Sequence, residues 1–381
     1  MNNRLVLYWC PFISKVATVK AVLNSAFGLK KYSKGKYQSE IINVFGEWDI
    51  FKDEILEKKI NFSDKLISLN FLKFDLKGFL FSRIKYSLIL IFAFFPLIYL
   101  LKKKKPEFLI VHLVTSLPLI IFSLFNFNTK LILRISGFPQ LNFHRNLLWK
   151  FASKNIYKIT CPTQETYQRF NKIKELKDKI YLLQDPIISI LEINEKKKEK
   201  ISINLPKKDF ILSIGRLTRQ KNFVFLLENY AKLKLSTIDL VIIGNGELKE
   251  TLIKKTRELK IENNVFFIDY SKNIFNILCK CKFFLLTSLW EDPGFVLIEA
   301  AFMNKTILSS DCASGPKEIL LNGKGGFLFK SNNSQDFLEK IKNLIDSDKS
   351  MLKEKKFIAK LMTKEFTLFR HYKKLHNLLN I

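Results

Sequence analysis

Short, unbroken apolar runs alternate with helix-length segments along the whole of this 381-residue chain. "RLVLYWC", "QSEIINVFG", "PEFLIVHLV", "TKLILRIS" and "YKITCPT" come first. After a lysine-rich stretch, "EKKKEKISINLPKK", the series restarts with "DFILSIGR", "IDLVIIGNG", "NVFFIDY", "CKFFLLTSL" and "TILSSD". A strand that is apolar on both sides needs cover on both faces, which is the mark of a parallel sheet between helices. Two successive series therefore predict two doubly wound α/β domains, joined near residues 194–208. The expected division is 1–195 and 196–365. An amphipathic helix in 366–381, "FTLFRHYKKLHNLL", is able to cross back onto the first domain. The length agrees, being too great for one ordinary core.

The chemistry is concentrated in the second series. "FILSIGRLTRQKNF" puts Gly215 and Arg216 at a strand end, with Lys221 close behind. Strand ends of this kind are where open parallel sheets bind ligands, and two cations there suit a diphosphate. A solvated pair at a helix start is the plainer reading of the same residues. Gly244-Asn245-Gly246 repeats the form, a tight strand-to-helix turn whose amides can face a ligand, with a helix expected from Glu247. In "LLTSLWEDPGFVLIEAAF", residues 285–302, Pro293 and Gly294 break the chain after a strand. A helix should then start near Phe295 with its positive end open. Glu291 in the loop can reach sugar hydroxyls. Glu299, about a turn into the helix, can accept both hydroxyls of a ribose.

The spacing of Glu291 and Glu299, with "SIGRLTRQKN" upstream and "SSDCASGPKEIL" and "GKGGFLF" downstream, resembles the retaining glycosyltransferases of family 4 (group 1). The resemblance covers about residues 208–345 in register and is weaker over the first half. It implies the GT-B fold, two facing Rossmann-like domains with a cleft between them, and hexosyl transfer from a nucleotide diphosphate sugar, a UDP-sugar by expectation. Arg216 and Lys221 would hold the diphosphate and stabilise the leaving group. Glu299 would bind the ribose and Glu291 the donor sugar, with the amides of Gly294, Phe295, Val296 and Leu297 on sugar and phosphate. Gly215 and Asn245 complete the donor side. Retention of configuration is implied, with the leaving phosphate helping to deprotonate the acceptor. No cofactor and no metal are implied. The one D-x-D string, Asp346-Ser347-Asp348, reads as surface. The chain departs from the family pattern at Asp292, at Asp269, and at Lys15, Val16 and Ala17, where a glycine-rich turn is usual.

In the first series, His112 follows a strand end, which reads either as a residue facing the cleft or as a histidine at the core edge. Arg134 and Ser136 end the next strand where many members of the family carry a histidine. His144 is a lesser candidate on a loop, and His371 and His376 read as surface on the last helix.

Charge and hydropathy bear on the acceptor. With 64 Lys and Arg against 35 Asp and Glu, the net charge is +29. Such a surface attracts polyanions, although the joint richness in Lys, Ile, Asn and Phe also fits A/T-rich codon usage. The segment "YSLILIFAFFPLIYLL", residues 86–101, is apolar all round and runs into Lys102, Lys103, Lys104 and Lys105. Sixteen helical residues rise about 24 Å, short of a bilayer core of roughly 30 Å. A helix lying against a membrane interface is the favoured reading, beside a buried α/β helix and a spanning one. The N-terminal residues lack the pattern of a signal peptide. Cys10, Cys161, Cys279, Cys281 and Cys312 are too scattered for a zinc knuckle and read as reduced thiols. The expectation is a transferase on the cytoplasmic face of the cell membrane. It would act on a lipid-linked or polysaccharide acceptor in cell-surface polysaccharide or lipopolysaccharide synthesis. Its rivals are a soluble transferase with a small acceptor, an inactive partner subunit, and a nucleic-acid-binding protein. The last would need basic and aromatic residues interleaved on one face, and the sequence shows no such face. Nucleic acid is therefore not an expected partner.

Overall fold

The computed structural model describes residues 3–13, 17–68, 79–135, 143–201, 203–235 and 237–380. Two units emerge, Met1–Pro186 with Leu368–Ile381, and Ile187–Thr367. The first holds a sheet of β1 (Arg4–Trp9), β2 (Tyr37–Ile41), β3 (Asn61–Phe62), β4 (Phe108–Val111), β5 (Lys130–Arg134), β6 (Lys158–Cys161) and β7 (Ile180–Leu182). The second holds β8 (Asp209–Ile214), β9 (Ile238–Ile243), β10 (Val265–Ile268), β11 (Phe283–Leu286), β12 (Thr306–Ser310) and β13 (Phe327–Phe329). The orders are β3-β2-β1-β4-β5-β6-β7 and β10-β9-β8-β11-β12-β13. Every pairing is parallel. Both orders reverse direction beside the unit's first strand, as in doubly wound nucleotide-binding folds.

Helices of the first unit are α1 (Ala17–Tyr32), α2 (Lys52–Glu57), α3 (Phe79–Phe92), α4 (Phe94–Lys104), α5 (Ser116–Leu124), α6 (Phe143–Ala152) and α7 (Gln164–Phe170). The second unit has α8 (Ile190–Lys196), α9 (Phe223–Leu233), α10 (Lys249–Glu258), α11 (Phe275–Lys280), α12 (Phe295–Phe302), α13 (Pro316–Ile319), α14 (Ser334–Asp346) and α15 (Lys349–Met362), and α16 (Leu368–Asn380) returns to the first. Strand side chains point alternately to the two faces, which explains the continuous apolar runs. Val6 and Tyr8 join the core shared with Val22 of α1 and Leu378 of α16. Leu7 and Trp9 join the core shared with Leu97 of α4 and Leu117 of α5. In the second unit Ile211 faces one core and Phe210, Leu212 and Ile214 the other.

Three expectations need correction. The units divide after Pro186, ahead of the expected junction. Ile187, Ile188 and Ile193 are buried with Phe366 in a second-unit core, and the amides of Ile187 and Ile188 both donate to the Phe366 carbonyl at 2.9 Å. The lysine-rich stretch looks like a linker by charge, but the isoleucines before it already belong to the second unit. Next, His371 is buried, not on the surface. Its Nε2 lies 2.9 Å from Ser25 Oγ and its Nδ1 2.7 Å from the Gln184 carbonyl, while His376 is half-buried. Burial holds the His371 imidazole down at about 4. Finally, residues 86–101 are not one helix. They belong to α3 and α4, which meet at a bend of 48°. Pro96 is the third residue of α4, within a first turn whose amides have no intrahelical acceptor. Ile89, Ala93, Leu97 and Leu101 are buried in the sheet's core, while Phe95 and Tyr99 are exposed. Among the described residues no single helix is long and apolar enough to cross a membrane.

Candidate functional site

In the second unit β8 and β11 are neighbours, and the sheet reverses direction between them. The loop after β8 carries Gly215, Arg216 and Lys221, and the loop after β11 carries Glu291. Hydrogen bonds join the two loops. Leu289 N donates to the Gln220 carbonyl at 2.8 Å, Gln220 Nε2 to the Trp290 carbonyl at 2.9 Å, and Thr287 Oγ1 to the Lys221 carbonyl at 3.0 Å. This brings Lys221 Nζ onto Glu291 Oε1 as an ion pair. Both side chains are largely withdrawn from water, 12% and 6% exposed. Ser288 Oγ donates to the same Glu291 oxygen at 2.6 Å. A buried carboxylate is tolerated because a cation and a hydroxyl meet it.

Glycines set the close approaches. A Cβ on Gly215 would lie 3.0 Å from the aliphatic stem of Lys221, so the bare backbone makes room for that lysine. At Gly244, φ is +153° and a Cβ would fall 1.9 Å from the Gly215 carbonyl oxygen; at Gly246 one would fall 2.4 Å from that of Leu217. The Gly244-Asn245-Gly246 turn is therefore packed against the Gly215–Leu217 backbone, tied by Leu217 N to the Asn245 carbonyl at 2.9 Å. Asn245 is exposed, its Oδ1 accepting from Gly246 N at 2.9 Å. The following helix starts at Lys249, two residues beyond expectation.

Gly294, at φ +93°, caps α12, which begins at Phe295 as expected. Leu297 N is used within the helix start, donating to the Gly294 carbonyl at 3.0 Å, and its side chain is buried. This corrects the expectation for Leu297. By helix geometry the amides of Phe295 and Val296 are the ones without an intrahelical acceptor. Glu299 is the fifth residue of α12 and is buried. Arg216 is exposed at the end of β8, with its Nη2 3.4 Å from Gln220 Oε1.

The loop after β12 supports this arrangement. Glu291 N donates to the Ala313 carbonyl at 3.1 Å and Ser314 Oγ to Asp292 Oδ1 at 3.1 Å. A Cβ on Gly315, at φ +134°, would lie 2.1 Å from the Pro293 carbonyl oxygen. Ser288, Gln220 and Gly315 were not singled out from sequence. Their partners lie far away in the chain, and the one local signal was the Ser-Gly-Pro of "SSDCASGPKEIL".

The first-unit candidates fall differently. His112 follows β4, beside β1 where that sheet reverses, and is buried. Burial, with Arg134 and His371 nearby, holds its imidazole well below the ordinary range and hence neutral. Its Nδ1 has no partner among the described residues. The Arg134 guanidinium is committed to Asp185 by a buried forked pair, at 3.2 and 2.5 Å, which corrects its expected place beside a sugar. Ser136 and the side chain of His144 lie outside the described residues. Asp348 caps α15, accepting from Met351 N at 2.8 Å.

The family model for glycosyl transferases group 1 matches residues 194–360, a span that contains Gly215, Arg216, Lys221, Asn245, Glu291 and Glu299. An uncharacterised glycosyltransferase of Methanocaldococcus jannaschii is 31% identical over 371 residues, covering 88% of this chain and 86% of that protein. An N-acetylgalactosaminyltransferase of Campylobacter jejuni, named for a diphospho-undecaprenol substrate, is 33% identical over 179 residues, 47% of this chain and 48% of that one. Among solved structures, HepE of Anabaena, crystallised with UDP and glucose, superposes with a TM-score of 0.72 at 14% identity, over 99% of this chain and 100% of that one. The chain belongs to the group 1 glycosyltransferases, and its two parallel-sheet units are the Rossmann-like domains of the GT-B fold.

Proposed function

We propose that this glycosyltransferase takes its sugar from a UDP-sugar and transfers it, with retention, to a lipid-linked glycan during cell-surface polysaccharide or lipopolysaccharide synthesis. The observation that carries the reading is the desolvated Lys221–Glu291 pair at the sheet's reversal point, next to the start of α12. In this reading Lys221 and Arg216 face the diphosphate, and the amides of Phe295 and Val296 receive its oxygens at the positive helix end. Glu299 accepts from the ribose and Glu291 from the donor sugar. The bond from the anomeric carbon to the phosphate oxygen breaks as the bond to the acceptor oxygen forms on the same face. The acceptor's proton passes to the departing phosphate. Charge grows on that phosphate in the transition state, so cations placed beforehand stabilise it more than the ground state. Support for the donor comes from the UDP in the HepE crystals, and for the acceptor from the diphospho-undecaprenol in the Campylobacter relative's name.

The test is a panel of nucleotide sugars offered to the purified chain in detergent, with thermal stabilisation and slow donor hydrolysis as readouts. One or more UDP-sugars should raise the melting temperature and release UDP, and the anomeric proton coupling of a transferred product should match that of the donor. Stabilisation by other nucleotide sugars alone would overturn the donor assignment, and an inverted product would overturn retention.

A further inference from the structure

Helices α3 to α6 cover one face of the first sheet, and their inner sides are part of its core through Ile89, Leu97, Leu117 and Trp149. If water were their only other neighbour, the outer sides should be polar. They are not. Phe95 and Tyr99 on α4, Ile120 and Leu124 on α5, and Leu147 and Phe151 on α6 form three pairs spaced i,i+4, each on one side of its helix. All six are exposed, Phe95 by 74% and Phe151 by 70%. Because α4 packs on α5 and α5 on α6 over one shared core, the three pairs face the same way, outward from the sheet. Nine of the twenty-one large apolar side chains exposed among the described residues sit on these four helices, so the patch is not the ordinary scatter of surface apolars.

The charge of the same stretch is equally one-sided. Residues 76–164 contain thirteen Lys and Arg and a single acid, Glu107, whereas the whole chain has 64 against 35. Codon bias that enriches lysine everywhere does not remove acids from one region. Exposed Lys102, Lys103 and Lys105 close the apolar stripe of α4. Lys103 Nζ lies 5.5 Å over the Tyr99 ring and Lys102 Nζ 5.9 Å over Phe125, whose ring meets Phe94 at 6.3 Å, and Phe94 in turn meets Phe95 at 5.2 Å.

We propose that the outer face of α4 to α6, with the lysines that end α4, docks on the surface of an anionic lipid bilayer. The rings and aliphatic side chains enter the headgroup region and the ammonium groups rest on lipid phosphates, with no helix crossing. Charge complementarity selects this occupant. A second copy in a twofold contact would bring the same lysine-rich face against itself, with almost no acid to offset it. The inference rests on the proposed function only for its purpose, which is to hold the enzyme where a lipid-linked acceptor is found. Docking itself requires no nucleotide sugar.

The full chain should co-sediment with phosphatidylglycerol vesicles and bind phosphatidylcholine vesicles about ten-fold more weakly or worse. Phe95→Ser with Tyr99→Ser, and separately Phe151→Ser, should each weaken binding about ten-fold or more. Lys102→Gln, Lys103→Gln and Lys105→Gln together should weaken it on the order of 100-fold. Far-UV circular dichroism and the melting temperature serve as the folding control for each variant. The proposal is overturned if the wild type leaves phosphatidylglycerol vesicles in the supernatant. It is also overturned if the apolar variants bind as well as the wild type, or if sedimentation velocity shows self-association that the same substitutions abolish. Vesicle binding without any nucleotide-sugar turnover would count against the proposed function and leave this surface standing.

Discussion

Lys221 and Glu291 are seventy positions apart and meet as a nearly dry ion pair with Ser288 on the same oxygen. Removing one partner leaves the other charge buried without compensation. Lys221→Ala should therefore destabilise the protein by roughly 3 to 5 kcal/mol, and adding Glu291→Gln should recover part of that loss. Urea unfolding of the two single variants and the double variant measures it; equal and additive losses would mean that the pair is not coupled. Glu299→Ala is expected to keep the fold and lower kcat/KM at least ten-fold, since a charge-assisted bond to a hydroxyl is worth about 1.5 to 3 kcal/mol. His371 makes a prediction in pH. Its folded value of about 4 lies below the 6.5 of a free histidine. Its contribution is thus fully present above 6.5 and is lost as pH falls toward 4, on the order of 3 kcal/mol in all. A melting-temperature series between pH 7.5 and 4.5 should slope downward, and His371→Gln should make the slope shallower, His112 still contributing in the same direction. The acids and bases of the candidate site could be nominated from sequence because their residue types and spacing are local. Arg134 could not be judged, because its partner, Asp185, lies two strands further along.

At the scale of elements, the loops after β8, β9, β11 and β12 form one interlocked set held by backbone contacts at three glycines. Gly244→Ala and Gly315→Ala each place a methyl against a carbonyl oxygen, at 1.9 and 2.1 Å, and each forces a side chain into a left-handed conformation. Either should cost about 1 to 3 kcal/mol and loosen these loops, raising the donor KM if they bind it as proposed; unchanged KM and melting temperature would show that the loops adjust freely. The strands were legible because apolar runs read the same in any context where both faces are covered. The bend between α3 and α4 was not, since composition alone cannot tell a long helix from two short ones meeting at Ala93. Pro96 lies in the first turn of α4, where a proline fits. The exposed rings of α4 to α6 were equally hidden, because which side of an all-apolar helix meets water depends on its neighbours in space.

At the scale of the whole molecule, the sequence conveyed two sheets and their approximate extents. A boundary set by the lysine run falls late, because Ile187, Ile188 and Ile193 ahead of it already pack in the second unit. The residues proposed for the donor all belong to Ile187–Thr367, so UDP at a hundred times its dissociation constant should stabilise that unit by about 2.7 kcal/mol. Calorimetry on the full chain checks this: a transition that rises by several degrees with UDP, and by about half as much or less in the Glu299→Ala variant at the same concentration, is the expected outcome.

The return of α16 to the first unit has a consequence for how the protein is made. Lys158 Nζ reaches the Leu378 carbonyl at 2.8 Å and Arg4 reaches Asn380 at 2.7 Å, so β1, the opening strand, rests against the last helix. A ribosome delivers β1 to β7 early, yet that unit stays unfinished until translation has passed through the whole of the second unit and reached α16. A premature stop codon at Leu368 would leave the second unit whole and strip cover from the half already waiting.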